Sequence, residues 1–402
     1  MSSEHQLQDL REKIDSLKGM FRKECSDIDT AIKLYNKSIS LYPNSPLSYS
    51  NLGIIYRDLG LIEKAKVITL KSIEINPEFT EAYSNLGNIF LDMHELKKAE
   101  SSFRKAIKVF PSNITAYYNL AKLLKDKGDF DESKKLLLDA LNIQPNSAHC
   151  NYLLSTLNNF LFDKNWITTL FSDQILINQT EKELVYLFFS RSNILHKQHK
   201  YTLSKEYLIK ANNKKLSIYP SHANKIIKKS SELLKLSSSN NTYNNSIYTN
   251  ELPIFIVGMP RSGSTLVESI ISMNKNVNDL GEINIFEDSY IEWKQSSQAD
   301  YPISLSDIYF DKVANYLDKT SITTNKWLYN YQYSGIIAQE IPCSKIIHCF
   351  RNPLDNILSI YRTNFAKGNQ YSSSLVDIAN VYLNQEKVMS EYKKKYRSSI
   401  YN

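Results

Sequence analysis

Residues 254–265 read Ile-Phe-Ile-Val-Gly-Met-Pro-Arg-Ser-Gly-Ser-Thr. The apolar run Ile254 to Val257 predicts a buried parallel strand. It meets Gly258, passes Pro260 and Gly263, and gives way to a helical run from Thr265 to Met273. A strand, a glycine-bearing turn and a helix N-terminus make a phosphate cradle, because the N–H groups of the turn and of the first helical turn converge on an anion. Gly258 and Gly263 have the spacing of a Walker A loop, but Ser264 stands where that loop has its lysine. Arg261 is the one cation inside the loop. An ordinary ATPase, GTPase or P-loop kinase is therefore disfavoured, and a differently built diphosphate is the expected ligand.

A second element lies at 345–361, Lys-Ile-Ile-His-Cys-Phe-Arg-Asn-Pro-Leu-Asp-Asn-Ile-Leu-Ser-Ile-Tyr. Ile346 to Phe350 predicts another buried strand, with Arg351 at its carboxyl end, where open α/β sheets bind ligands. Asn352 is the expected N-cap, with Pro353 at N1 and Asp355 at N3. Ser359 shares a helix face with Asp355 and Arg362. An arginine fork and a serine hydroxyl suit a second phosphate. His348, inside the apolar strand, is read as a satisfied core histidine.

The first third of the chain is periodic. Pro43, Pro77, Pro111 and Pro145 recur every 34 residues, as do Asn51-Leu52-Gly53, Asn85-Leu86-Gly87 and Asn119-Leu120-Ala121. Tyr49, Tyr83 and Tyr117 keep the same step, and so do Ala31, Ala65, Ala99 and Ser133. This period and pattern mark tetratricopeptide repeats, helix–turn–helix units stacked into a solenoid. Three units over 46–145 are complete. The unit before them keeps only its second helix, and a degenerate unit is expected to start near Ala148. Asn51, Asn85 and Asn119 occupy one position on three successive first helices and form a ladder. Carboxamides so placed can donate to and accept from an extended peptide backbone; a solvated face is the alternative, and both readings stand.

The predicted organisation is a tetratricopeptide array over 1–146, degenerate repeat or cap helices over 147–236, a polar linker over 237–251 and an α/β domain with a parallel sheet over 252–402. Hydrophobic and charged contents of 42% and 23% are those of a globular chain. The net charge of +7 is spread over many lysines, so a nucleic-acid partner is not expected. The four cysteines form no C-x-x-C pair and are read as packing thiols. No secretory core or apolar run of about 18 residues is present, so no membrane partner is expected and the cytoplasm is the expected location.

Two phosphate grips on two strand–helix turns resemble the nucleotide site of sulfotransferases that use 3′-phosphoadenosine-5′-phosphosulfate (PAPS). The first loop of that family, Pro-[Lys/Arg]-Ser-Gly-[Thr/Ser]-Thr, is matched by Pro260 to Thr265. The second, Arg-[Asn/Asp]-Pro-x-Asp followed by Ser, is matched by Arg351, Asn352, Pro353, Asp355 and Ser359. Gly258 to Glu268, followed by Gly281-Glu282, is similar to the branch holding tyrosylprotein sulfotransferases and bacterial tetratricopeptide sulfotransferases, which join the two domains in this order. The resemblance covers almost the whole chain. It implies that Arg261, Ser262, Gly263, Ser264, Thr265 and Leu266 hold the 5′-phosphosulfate and that Arg351 and Ser359 hold the 3′-phosphate. It implies further that Glu282 is the general base, with a helix-capping or surface carboxylate as its alternative. Lys326 is implied to meet the charge on the transferring group with Arg261. Asn325 departs from the Asp that often precedes that lysine. No metal is implied. A polypeptide or other hydroxyl-bearing acceptor and protein partners of the array are implied, with Asn51, Asn85 and Asn119 as the acceptor contacts. Sulfotransferases of this kind continue with a further strand and helices, so the domain is expected to be incomplete at its C-terminus. A non-catalytic scaffold with a vestigial domain is the alternative reading.

Overall fold

The computed structural model describes residues 28–157, 163–239, 252–296, 303–314, 316, 322–341, 343–365 and 368–402. Two compact units divide the chain, Met1–Tyr207 and Leu208–Asn402.

In the first unit the repeat period becomes helix pairs: α1 (Ile28–Leu41), α2 (Pro46–Asp58), α3 (Ile62–Ile75), α4 (Thr80–Asp92), α5 (Leu96–Val109), α6 (Ile114–Asp126), α7 (Phe130–Ile143) and α8 (Ala148–Thr156). Within each complete unit the two helices are packed against each other, α2 on α3, α4 on α5 and α6 on α7. Gly87 allows this close approach, since a Cβ there would lie 2.4 Å from the Phe103 ring. The turn inside each pair needs a left-handed residue at one repeating position, filled by Gly60, His94 and Gly128 at φ 75°, 58° and 87°. Caps sharpen the boundaries: Asn113 accepts from the Ala116 N–H and Asp129 from the Glu132 N–H. The period is then lost through α9 (Lys164–Phe171) and α10 (Glu181–Lys197), the latter opened by a Thr180/Glu183 capping box. Buried Arg191 on α10 donates to the carbonyls of Leu170 and Ser172, at 2.8 Å each.

The unit boundary falls within α11 (Tyr201–Ile218), and α12 (Ala223–Ser239) belongs to the second unit. Residues 237–239 close α12; the rest of the expected polar linker, 240–251, lies outside the described residues. Among the described residues five strands build one sheet: β1 (Leu252–Gly258), β2 (Val277–Asp279), β3 (Ile322–Asn325), β4 (Lys345–Cys349) and β5 (Ile400–Tyr401). Their order is β2-β3-β1-β4-β5, and all four pairings are parallel. The helices between them are α13 (Ser264–Ile271), α14 (Ile285–Ser296), α15 (Leu305–Ala314), α16 (Ser334–Glu340), α17 (Pro353–Tyr361) and α18 (Leu375–Lys395).

The central strand explains the burial. Phe255, Ile256 and Val257 have no exposed surface, and the Phe255 ring meets Phe286 and Tyr309 at 5.8 and 5.6 Å. Leu233 of α12 enters the same core, and Ser230 bonds Tyr331 and Gln332 at 3.1 and 2.9 Å. β4 ends one residue earlier than predicted. Phe350 is 60% exposed because the chain there is already turning toward the Asn352 cap.

Candidate active site

The carboxyl ends of β1, β3 and β4 lie side by side, and each carries one part of the site. At the end of β1, Gly258 has φ 150°, and a Cβ on it would sit 2.3 Å from the Cys349 carbonyl oxygen. Only glycine lets β1 run this close to β4 while turning into the loop. Arg261 takes a left-handed φ of 66° and Gly263 one of 97°. Gly263 is the N-cap of α13 and contributes no side-chain cap. The early N–H groups of that helix, at Ser264, Thr265 and Leu266, have no carbonyl one turn back to receive them. Ser262 adds a buried hydroxyl without a hydrogen-bond partner. Together these make a cradle rich in unspent donors, which suits a phosphate. The Leu266 side chain itself is 67% exposed, so what it offers the cradle is its main chain.

The second grip stands next to the first because β4 pairs with β1, Gly258 opposite Cys349. Asn352 caps α17 by accepting from the N–H groups of Leu354 and Asp355, at 3.0 and 3.3 Å. Arg351, just before the cap, is exposed, while its carbonyl accepts from Tyr382 at 3.0 Å. Two bonds tie the grips together. Arg261 Nε donates to Ser359 Oγ at 3.2 Å, and fully buried Asn356 donates to the Pro260 carbonyl at 3.0 Å.

β3 supplies the third part. Its last residue, Asn325, is buried and makes three bonds: its amide donates to the Ile283 carbonyl at 2.9 Å, and its oxygen accepts from the Trp327 N–H and the Asn330 amide at 3.2 and 2.8 Å. An aspartate could not make the first of these, so this asparagine is integrated into the turn. Lys326 follows, with its N–H on the Gly281 carbonyl at 2.9 Å. Its ammonium reaches Glu268 Oε2 at 2.9 Å, Thr265 Oγ1 at 3.3 Å and Glu282 Oε1 at 3.4 Å. Lys326 and Glu268 are buried, whereas the Glu282 side chain is 64% exposed. Burial works against the Lys326 charge, but the two glutamates outweigh it and raise its pKa. Burial lifts Glu268 to about 7, with Lys326 pulling it down and Asp279 adding to the rise.

A cleft of about 860 Å³ opens over these residues. Arg261, Lys326, Arg351 and Glu282 line it, with Trp327, Tyr329 and Phe365 as its aromatic part. Three cations against one carboxylate favour an anionic ligand, and the rings suit a flat one. Sequence reasoning did not single out Glu268 or Asn356. Glu268 lies one turn beyond Thr265 on α13 and Asn356 one turn before Ser359 on α17, but neither segment alone marks them as site residues. His348 is in the core, its ring nitrogens 3.0 and 2.8 Å from Gln385 and Lys393.

Asn51, Asn85 and Asn119 are half-buried on α2, α4 and α6. Asn85 donates to Ser50 at 2.8 Å, whereas the Asn51 amide nitrogen is buried without a partner. Among the described residues no group of three or more His, Cys, Asp or Glu is placed to hold a metal ion. No helix among them is long and apolar enough to cross a membrane.

Residues 253–399 match the family model described as the sulfotransferase family, and residues 34–67 and 90–157 match tetratricopeptide-repeat models. An uncharacterized protein of Aquifex aeolicus (strain VF5) is 30% identical over 169 residues, 37% of this chain. The chain spans 22% of that relative's length. Among solved structures, YrrB, a tetratricopeptide protein with an unusual peptide-binding site, is 18% identical with a TM-score of 0.33, covering 47% of this chain and 93% of that one. A thermophilic tetratricopeptide protein of Thermus thermophilus is 16% identical with a TM-score of 0.34, covering 50% and 96%. At such scores the likeness adds nothing to the helix pairs described above.

Proposed function

We propose that this chain, a tetratricopeptide-repeat protein carrying a sulfotransferase-family domain, transfers a sulfuryl group from PAPS to a hydroxyl on a polypeptide. The observation that carries this reading is the pair of anion grips on adjacent strand ends, cross-tied by Arg261–Ser359 and Asn356–Pro260, with Lys326 beside the first grip. The residues fit such a donor: the partnerless Ser262 hydroxyl and the uncapped α13 N-terminus await acceptor oxygens, and Arg351 points no charge into the core.

When bound, PAPS supplies the activated sulfuryl group and a leaving 3′-phosphoadenosine-5′-phosphate. Arg261 and the N–H groups of residues 262–266 take the 5′-phosphate charge, and Arg351 with Ser359 takes the 3′-phosphate. Lys326, rooted on Glu268, directs its ammonium at the charge that develops during transfer. Glu282 Oε1 takes the acceptor hydroxyl proton; its exposure lets it leave Lys326 and return the proton to solvent. General-base action of this kind contributes about 10²–10⁴-fold. Positioning and electrostatics supply the rest, as in phosphoryl transfer. The carboxamides of Asn51, Asn85 and Asn119 hold the acceptor's backbone in the repeat unit.

The test uses PAPS carrying radioactive sulfur and a polypeptide extract as the acceptor pool. Label is expected in protein with the native chain and at least about 100-fold less with Glu282→Gln. Label at the native rate with Glu282→Gln or Lys326→Ala would remove these roles. Alanine at all three asparagines is expected to weaken acceptor capture without lowering the array's melting temperature; unchanged capture would remove the ladder from the account.

A further inference from the structure

Three cations line the cleft, yet the lysine beside its first grip is surrounded by acids. Lys326 has Glu268 at 2.9 Å and Glu282 at 3.4 Å. Asp279, at the end of β2, adds its negative charge to the burial that raises the pKa of Glu268. With all three carboxylates ionised, this group would carry −2 and repel the ligand that the rest of the cleft attracts. Glu282 is 64% exposed and can turn to solvent. Glu268 cannot: its side chain is 5% exposed, and its Oε1 is buried without a hydrogen-bond partner. A proton can settle on that oxygen without breaking an existing bond. Oε2 would stay on the Lys326 ammonium.

We propose that Glu268 is a positioning residue with an exchangeable proton: it holds the Lys326 ammonium against the first turn of α13, and it gains a proton from solvent as an anionic ligand enters the cleft. The inference rests on the donor-site reading above and extends it to what keeps Lys326 effective. Before binding, the ionised carboxylate balances the lysine and keeps a buried charge from standing alone. On binding, the incoming negative charge opposes ionisation of Glu268, and the neutral acid frees the full charge of Lys326 for the ligand. The raised pKa of Glu268, about 7 from burial, places this exchange at neutral pH. The groups facing Glu268 in this exchange are Lys326 and Asp279, with Glu282 across the ammonium.

The experiment is calorimetric titration of the full chain with 3′-phosphoadenosine-5′-phosphate, in buffers of different ionisation enthalpy, from pH 6.5 to 8.5. The native chain is expected to take up about half a proton per ligand near pH 7, beyond any exchange by the ligand's own phosphates. If binding raises Glu268 by about one unit, its affinity falls about fourfold between pH 7 and 8.5. Glu268→Gln, a permanent mimic of the neutral acid, is expected to bind without this uptake and with the slope removed. Asp279→Asn takes away the repelling neighbour and is expected to move the native slope to lower pH, which gives a reading even if Glu268→Gln fails to fold. Equal slopes and equal proton counts in the native chain and Glu268→Gln would overturn the inference while leaving the donor site standing. Absence of binding by the native chain at every pH would instead overturn the donor-site reading, and the inference with it.

Discussion

Replacing Gly258 by alanine isolates the constraint that joins the two grips. The new Cβ would lie 2.3 Å from the Cys349 carbonyl oxygen, about 1 Å short of ordinary contact, and 3.2 Å from Ser262 Oγ. The obstacle is backbone, so no side-chain rotation relieves it. β1 and β4 are held in register there by Ile256–Ile347, Val257–His348 and Gly258–Cys349, and Ile256, Val257 and Ile346 have no exposed surface. A close-packed core does not open by about 1 Å without loss. Overpacking of this kind costs about 1–3 kcal/mol, and an alanine at φ 150° adds about 1–3 kcal/mol of backbone strain. The sum, about 2–6 kcal/mol, is a large part of the roughly 5–15 kcal/mol that holds a domain folded. The control is Gly263→Ala, which has φ 97° and nothing within 4 Å, so that it suffers strain alone. Urea unfolding followed by circular dichroism compares them. Gly258→Ala is expected to unfold at clearly lower urea than Gly263→Ala, with an unchanged slope. Equal midpoints would refute the argument that the strand ends are locked at this contact.

Asn356→Ala removes the buried donor to the Pro260 carbonyl, so a loss of about 1–3 kcal/mol and weaker 3′-phosphoadenosine-5′-phosphate binding are expected; unchanged values in both assays would dissociate this bond from the cradle. Asn325→Asp strips the Ile283 carbonyl of its donor, so lower stability in urea is expected, and a stabilised variant would contradict the three-bond account. Folding lowers the pKa of His348 to about 3, through burial first and Lys393 second. Unfolded, that ring takes its proton near pH 6.5. The stability tied to its neutral form is therefore complete above about pH 6.5 and is lost as pH falls through the window toward about 3. His348→Gln is expected to flatten that acid loss in a melting-temperature series, and an identical decline would place its origin elsewhere.

The repeats were legible because one spacing controls everything in them: Gly87 must meet Phe103, and a left-handed residue must follow at the position of Gly60, His94 and Gly128. The strand–turn–helix form of the loop after β1 was legible for a similar reason, since Gly258, Gly263 and the helix start form one local device. Glu268 was not. A glutamate at that point on α13 looks like any helix-surface charge, and only the placement of β3 beside β1 brings Lys326 over it and buries both. Asn356 was hidden in the same way, as its partner Pro260 is distant in sequence and near only because β4 pairs with β1. Asn325 was legible as a departure, but its three bonds depend on Ile283 and Asn330 and could not be read from the segment alone.

The central claim is that the cleft is built for a nucleotide with phosphates at both ends of its ribose. Calorimetry of the full chain with 3′-phosphoadenosine-5′-phosphate and with ATP tests it most directly. The account predicts one site for the former, weaker binding of ATP, and a loss of about tenfold or more in Arg261→Ala and in Arg351→Ala, the cost of a hydrogen bond to a charged group. ATP binding as tightly as 3′-phosphoadenosine-5′-phosphate, with Arg351→Ala indistinguishable from the native chain, would contradict it.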